Sequence, residues 1–326
     1  MENEMSCGFD GDSDMYGLGI RIGFYIQWYG SIAAAWLDKG EAKGMRLANS
    51  LFISATFLAL IIQTPMNTLQ PVEIYIILLL TYGAYYYFVP LYLWRLAIGC
   101  SPLWDPSRWG RVKVSHLFSI LNFGLLVAET CFQLWFWCTG IHTLPTATDC
   151  QRYGFFFAMI PLDAPAFIAL NIIFNIILLI CCFVHLCLGA KIIRPPKWLR
   201  KQIRRANKRP PSEERILGLQ MLQTVLNTIV ATLVVVATEL TIRWNNINEV
   251  NDVSTAGQTI PVILAVGLVA HLLYVSLFRP DDGNSGSSSP DTIDVVPPTR
   301  PPPRRPDPLY VFPVMGPPRL PPGANR

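Results

Sequence analysis

The chain has 326 residues, of which 52% are hydrophobic and only 15% charged, with a formal net charge of +4. A mean hydropathy of +0.35, with the apolar residues gathered in blocks, excludes an ordinary soluble domain. No ten-residue segments of alternating hydrophobicity occur, which excludes the membrane β-barrel pattern. The expected fold class is all-α, a polytopic transmembrane helix bundle, because backbone polar groups find no water partner in lipid.

A helix of roughly 20 residues crosses the ~30 Å hydrocarbon core of a bilayer, and seven blocks reach that length: Met15–Leu37, Met45–Thr64, Pro71–Leu96, Val114–Cys138, Ala166–Ala190, Ile216–Ile242 and Thr259–Phe278. Residues 1–14 form an acidic segment with five carboxylates and no Lys or Arg. A cleavable signal would begin with a basic stretch, so the first helix is expected to act as an uncleaved signal anchor. That helix carries Gly19 and Gly23, a small-xxx-small pair that lets a second helix approach closely. It also carries Arg21, which can either snorkel toward Asp12 or Asp14 or pair with a carboxylate on another helix.

The loops alternate in charge. Lys39, Lys43 and Arg46 lie in the first and none in the second; Arg95, Arg108, Arg111 and Lys113 lie in the third and Arg152 in the fourth. The fifth, residues 191–215, holds ten basic residues, the sixth holds Arg243, and the tail from Arg279 holds six. The sum is 23 on one side and two on the other, with Arg21 inside a helix. Positive charge stays cytoplasmic, so the pattern predicts an N-out, C-in protein with seven helices; an even number would break the alternation.

Aromatic residues cluster from Tyr82 to Trp94, and Trp135 and Trp137 close the fourth helix; both groups read as interfacial anchors. The fourth loop, Thr139–Pro165, is the largest outer segment, and its apolar run Tyr153–Ile160 is expected to lie back on the bundle or the headgroups, as the best candidate for a lid over any outer cavity. Cys7 and Cys150 fall on the outer side, where a disulfide can form, and are the expected pair. No N-x-[ST] sequon occurs, so no N-glycan is expected.

The basic loop has internal order. Pro195-Pro196 and Pro210-Pro211 bound it, and Lys197, Arg200, Lys201, Arg204, Arg205 and Lys208 recur at helical spacing opposite Leu199, Ile203 and Ala206. That is a basic amphipathic helix suited to the anionic headgroups of membrane lipids; nucleic acid is a poor partner for a site held against a membrane. Ser212, Glu213 and Glu214 suit the start of the sixth helix. Residues 279–326 read as a disordered proline-rich tail, in which Arg300, Pro303 and Pro306 match a ligand for SH3-type grooves.

Ionisable groups in a membrane are the candidates for function. Glu239 has Arg243 four residues on as a local partner. Glu129 has none in its own helix and is expected to be protonated or matched by Arg21. Asn122, Gln133, Asn171, Asn175, Gln223 and Asn227 can bond between helices or line a polar path. His116, His185 and His271 fall in the cytoplasmic half, but no H-x-x-x-H spacing accompanies them, so a zinc hydrolase ranks third and no catalytic, cofactor or metal residue is assigned. Every lysine lies in a cytoplasmic loop, which excludes a retinal Schiff base. Leu93-Trp94-Arg95 and His271-Leu272-Leu273-Tyr274 stand where a rhodopsin-type receptor has its switch motifs.

The run Asp14-Met15-Tyr16-Gly17-Leu18-Gly19-Ile20-Arg21-Ile22-Gly23-Phe24-Tyr25-Ile26-Gln27, with Cys150-Gln151-Arg152-Tyr153-Gly154-Phe155-Phe156-Phe157-Ala158, resembles uncharacterised multi-spanning membrane proteins of filamentous fungi. The resemblance covers about the first 280 residues. It implies several helices and an outer cysteine loop, and no mechanism. The expectation is a membrane protein of the plasma membrane or an endomembrane, receptor-like or scaffolding and not an enzyme. The alternative is a transporter or channel using Glu129, Arg21 and the Asn/Gln positions.

Overall fold

The computed structural model describes residues 8–99, 101, 103–109, 112, 115–145, 150–189, 212–253 and 255–278. Among them, eight helices reach ten residues or more: α1 (Leu18–Leu37), α2 (Lys39–Gln63), α3 (Pro71–Tyr82), α4 (Phe88–Ala97), α5 (His116–Trp135), α6 (Pro165–Gly189), α7 (Glu213–Trp244) and α8 (Ala256–Phe278). Four short strands join them: β1 (Phe9–Asp10), β2 (Tyr153–Phe155), β3 (Met159–Pro161) and β4 (Ile247–Asn248).

Five segments are long and apolar enough to cross a membrane: Gly40–Met66, Leu117–Thr143, Pro165–Val184, Glu213–Trp244 and Ala256–Phe278. The pair Pro71–Tyr82 and Tyr85–Ala97 passes the same test together, bent by 66°. The seven expected blocks are therefore five clear spans and one bent pair, and α1 stands outside that set. Its 20 residues suffice in length; what dilutes its hydropathy is Arg21, Gln27, Ser31 and the glycines. These residues suit a helix enclosed by others, and α1 packs against α8, α2 and α7.

The α1–α8 contact follows from the glycines. A Cβ on Gly19 would lie 2.2 Å from the Gln258 carbonyl oxygen, and one on Gly23 would lie 3.0 Å from Pro261 Cβ. Only glycine allows that approach. The core runs through the middle of the bundle, where all of α3 is buried together with Phe24, Phe57, Phe136 and Val234.

The expected single helix Pro71–Leu96 is broken. Residues Gly83–Tyr87 form a 3-10 turn between α3 and α4. Pro90 explains why the α-helix cannot run straight through, since its ring displaces the hydrogen bond to residue 86. Gly83 meets α7 so closely that a Cβ would be 2.7 Å from Val234 Cγ1. Tyr82 is not an interfacial anchor: it is fully buried and packs with Leu126, Leu178 and Cys182, while Tyr85 and Tyr86 are partly buried against the same cluster. Trp137 likewise is 1% exposed, against Tyr75 and Phe167, whereas Trp135 is 40% exposed.

The low-charge segments share one end of the bundle. There β1 pairs in parallel with β4, and β2 pairs with β3 in an antiparallel hairpin. Asn245 ties the hairpin to α7 by accepting from Tyr153 N at 2.9 Å and donating to Tyr153 O at 2.8 Å. The Arg152 guanidinium donates to Gln70 Oε1 and covers the Phe9 ring at 4.5 Å. The opposite, basic end holds the α1–α2 corner, where Asp38 caps α2. It also holds the Arg95–Asp105 pair at 2.9 Å and Arg215 over Trp104. Ser212 sits at the N-cap of α7, with Glu213 and Glu214 in the first turn, and its hydroxyl makes no capping bond.

Candidate functional site

Arg21 is completely buried at the low-charge end of α1. Its Nη1 lies 2.5 Å from Glu239 Oε2, and its Nη2 donates to Val250 O and Asn251 Oδ1, each at 2.9 Å. Tyr25 completes the group by donating to Glu239 Oε1 at 2.8 Å. Of the two expectations for Arg21, the interhelical ion pair is the one found, and its partner is neither Asp12, Asp14 nor Glu129. Glu239 in turn faces Arg21 and Tyr25, while Arg243 is exposed. The geometry is a clamp between α1, α7 and the β4 turn.

Glu129 on α5 is 0% exposed, and neither carboxyl oxygen has a hydrogen-bond partner. One turn on, Gln133 Oε1 accepts from Asn175 Nδ2 of α6 at 3.2 Å. Asn175 also donates to Asn171 O, and Asn171 to Phe167 O. Gln133 Nε2 and Asn175 Oδ1 are left without partners. Asn175 therefore joins two helices and Asn171 bonds its own. Glu129 lines neither of the two cavities described next.

An apolar groove of about 420 Å³ opens between α3, α4, α6 and α7. The hairpin tip lines it with Phe155, Phe156 and Phe157, so of the two expectations for this loop, contact with the bundle is the one found. Tyr75 OH donates to Phe155 O at 3.2 Å, and Phe155 stacks on Trp244. Phe157 adopts φ +56° and is 75% exposed, an unusual conformation for a bulky residue.

A second, polar cavity of about 250 Å³ lies toward the basic end, between α1, α2, the 3-10 break and α7. Helical spacing builds it. Trp28, Ser31 and Ala35 share one face of α1; Arg46 and Asn49 are one turn apart on α2; Gln220, Gln223 and Asn227 share a face of α7. Four polar atoms on its lining residues are inaccessible and unpartnered: Trp28 Nε1, Ser31 Oγ, Asn49 Oδ1 and Tyr87 OH. Most such atoms in folded proteins are paired, and these four lie behind the cavity surface on residues that line it. Nearer the basic end, Trp36 donates to Thr224 Oγ1 at 2.8 Å.

Sequence reasoning named Gln223 and Asn227 but missed Arg46, Asn49, Ser31 and Tyr87. Arg46 counts as a loop charge when α2 is started at Met45. The helix begins at Lys39 instead, capped by Asp38, which places Arg46 two turns inside it. The extension is recognisable from Asp38 and Glu41, the pattern of a helix start.

The other expected sites divide. His271 Nδ1 meets Glu41 Oε2 at 3.1 Å, and no cluster of three metal-ligating residues occurs among the described residues. The side chains of His116 and His185 lie outside the description, as do Cys7, the amphipathic segment with Lys197, Arg200, Lys201, Arg204, Arg205 and Lys208, and the tail with Arg300, Pro303 and Pro306. The Cys7–Cys150 bridge, the lipid-binding loop and the SH3-type motif fall there with them. No protein family, no curated protein and no solved structure matches the chain.

Proposed function

We propose that this chain is a receptor-like membrane protein, N-out and C-in, that binds a small polar molecule in the cavity between α1, α2 and α7. Five long apolar helices and the bent pair α3–α4 support up to six spans, and the 20-residue helix α1 is taken as the seventh. The 23-to-2 partition of basic residues supports the orientation. The carrying observation is the cavity itself, lined by Arg46, Gln220, Gln223, Thr224 and Asn227 together with Trp28 and Trp36. Against a transporter stands Glu129, which is fully buried, lines neither cavity and is not the partner of Arg21. The basic loop 191–215 and the tail from residue 279 extend the reading as cytoplasmic surfaces for anionic lipid and an SH3-type partner.

Thiol accessibility tests the reading. In a background with the native cysteines replaced, Asn227→Cys is expected to react with a membrane-impermeant reagent from the basic side only. Glu129→Cys is expected to react from neither side. Labelling of Glu129→Cys from both faces would replace the receptor reading by transport, and an unreactive Asn227→Cys would remove the cavity as a ligand site.

A further inference from the structure

We infer that the polar cavity is an anion site anchored by Arg46; the inference rests on the cavity being a ligand site, as proposed above. Arg46 is the one charged residue in the lining, and no Asp or Glu joins it. Among the described residues Arg46 makes no hydrogen bond or ion pair. The other well-placed arginines differ. Arg21 has Glu239, Arg95 has Asp105, Arg152 has Gln70 and the Phe9 ring, and Arg215 covers Trp104. Arg46 is half-buried inside an apolar helix and left with a cavity in front of it.

The rest of the lining is rich in donors. A guanidinium and an indole N–H donate only, and the hydroxyls of Ser31 and Tyr87 can do so. Trp28 Nε1, Ser31 Oγ and Tyr87 OH are all unpartnered. Water can hydrate the half-buried guanidinium, but an anion also compensates its charge. A phosphate or carboxylate presents several acceptors to such a set, and arginine binds both by a two-pronged contact. The volume of about 250 Å³ admits that group with a small organic body. A free anion and the headgroup of an anionic lipid share this chemistry.

Trp28 and Trp36 line the cavity and supply a native readout. The full-length protein in nanodiscs of zwitterionic phosphatidylcholine is titrated with inorganic phosphate at constant ionic strength while tryptophan fluorescence is followed. The expected result is a saturable change that Trp28→Phe diminishes, with affinity lowered about tenfold or more in Arg46→Gln and only a few-fold in Arg46→Lys. If the source is a lipid headgroup, the same change appears without phosphate in nanodiscs containing phosphatidic acid, and Arg46→Gln abolishes it. Tyr87→Phe removes a donor without touching the charge, and its expected several-fold weakening carries the test should Arg46→Gln fail to fold. An absent response in both nanodisc types, or equal affinity in Arg46→Gln, overturns the inference. If Asn227→Cys is reactive and inositol protects it while phosphate does not, the cavity is a ligand site for a neutral molecule and only the anion assignment falls. If Asn227→Cys is unreactive, both fall.

Discussion

Arg21 and Glu239, 218 residues apart in the chain, meet at 2.5 Å, with the arginine fully buried and the glutamate side chain 43% exposed. Removing one partner of a buried pair leaves an uncompensated charge and typically costs about 3–5 kcal/mol. Because Glu239 is partly solvated and Arg21 keeps Val250 O and Asn251, the expected loss for Glu239→Gln lies at the lower end, about 3 kcal/mol. Denaturation in bicelles measures it. In a double-mutant cycle with Arg21→Met, the combined loss is expected to fall short of the sum by about 1–2 kcal/mol; strict additivity would show that the clamp does not operate.

The α1–α8 interface predicts a contrast between glycines. Gly19→Ala places a Cβ 2.2 Å from the Gln258 carbonyl oxygen, so the helices must separate, at an expected cost of about 1–3 kcal/mol. Gly267→Ala on α8 meets nothing within 4 Å and is expected to be neutral or stabilising by up to ~1 kcal/mol. Melting temperatures of the two variants compare them directly, and equal values would contradict the packing.

Glu129 is held without a hydrogen-bond partner, and a buried polar group in that condition does not support the fold. Glu129→Leu is therefore expected to be neutral or stabilising by about 1 kcal/mol. A loss above ~2 kcal/mol would mean that the carboxyl has an undescribed partner. A variant that is stable yet impaired in cells would assign Glu129 a functional role.

At the low-charge end, the Arg152 guanidinium lies 4.5 Å from the Phe9 ring centre. Cys7 and Cys150 each precede these residues by two positions, a reach of roughly 7 Å in extended chain, which is compatible with the Cα separation of a disulfide. Non-reducing peptide mapping is expected to recover Cys7 and Cys150 in one linked peptide. Two free thiols at these positions would refute the bridge.

The amino-acid sequence by itself determined the class of fold and the grouping of loops. Blocks of about 20 apolar residues are set by the thickness of hydrocarbon, and the alternation of charge is set by the cost of moving cations across it, so both are written locally. Gly19 and Gly23 announced a close helix contact for the same reason: a missing side chain is visible in one dimension. Partners separated by hundreds of residues are not. Glu239 has an attractive neighbour four residues away in Arg243, and only the packing of α7 against α1 turned it to Arg21. The bend at Gly83–Tyr87 follows Tyr82, an apparent interfacial tyrosine that the packing made a core residue, and leaves Tyr87 lining a cavity. Arg46 was legible as a charge but not as a site, because its role depends on Trp28, Ser31, Gln223 and Asn227 arriving from two other helices, and the free energy that brings them together lies in tertiary packing.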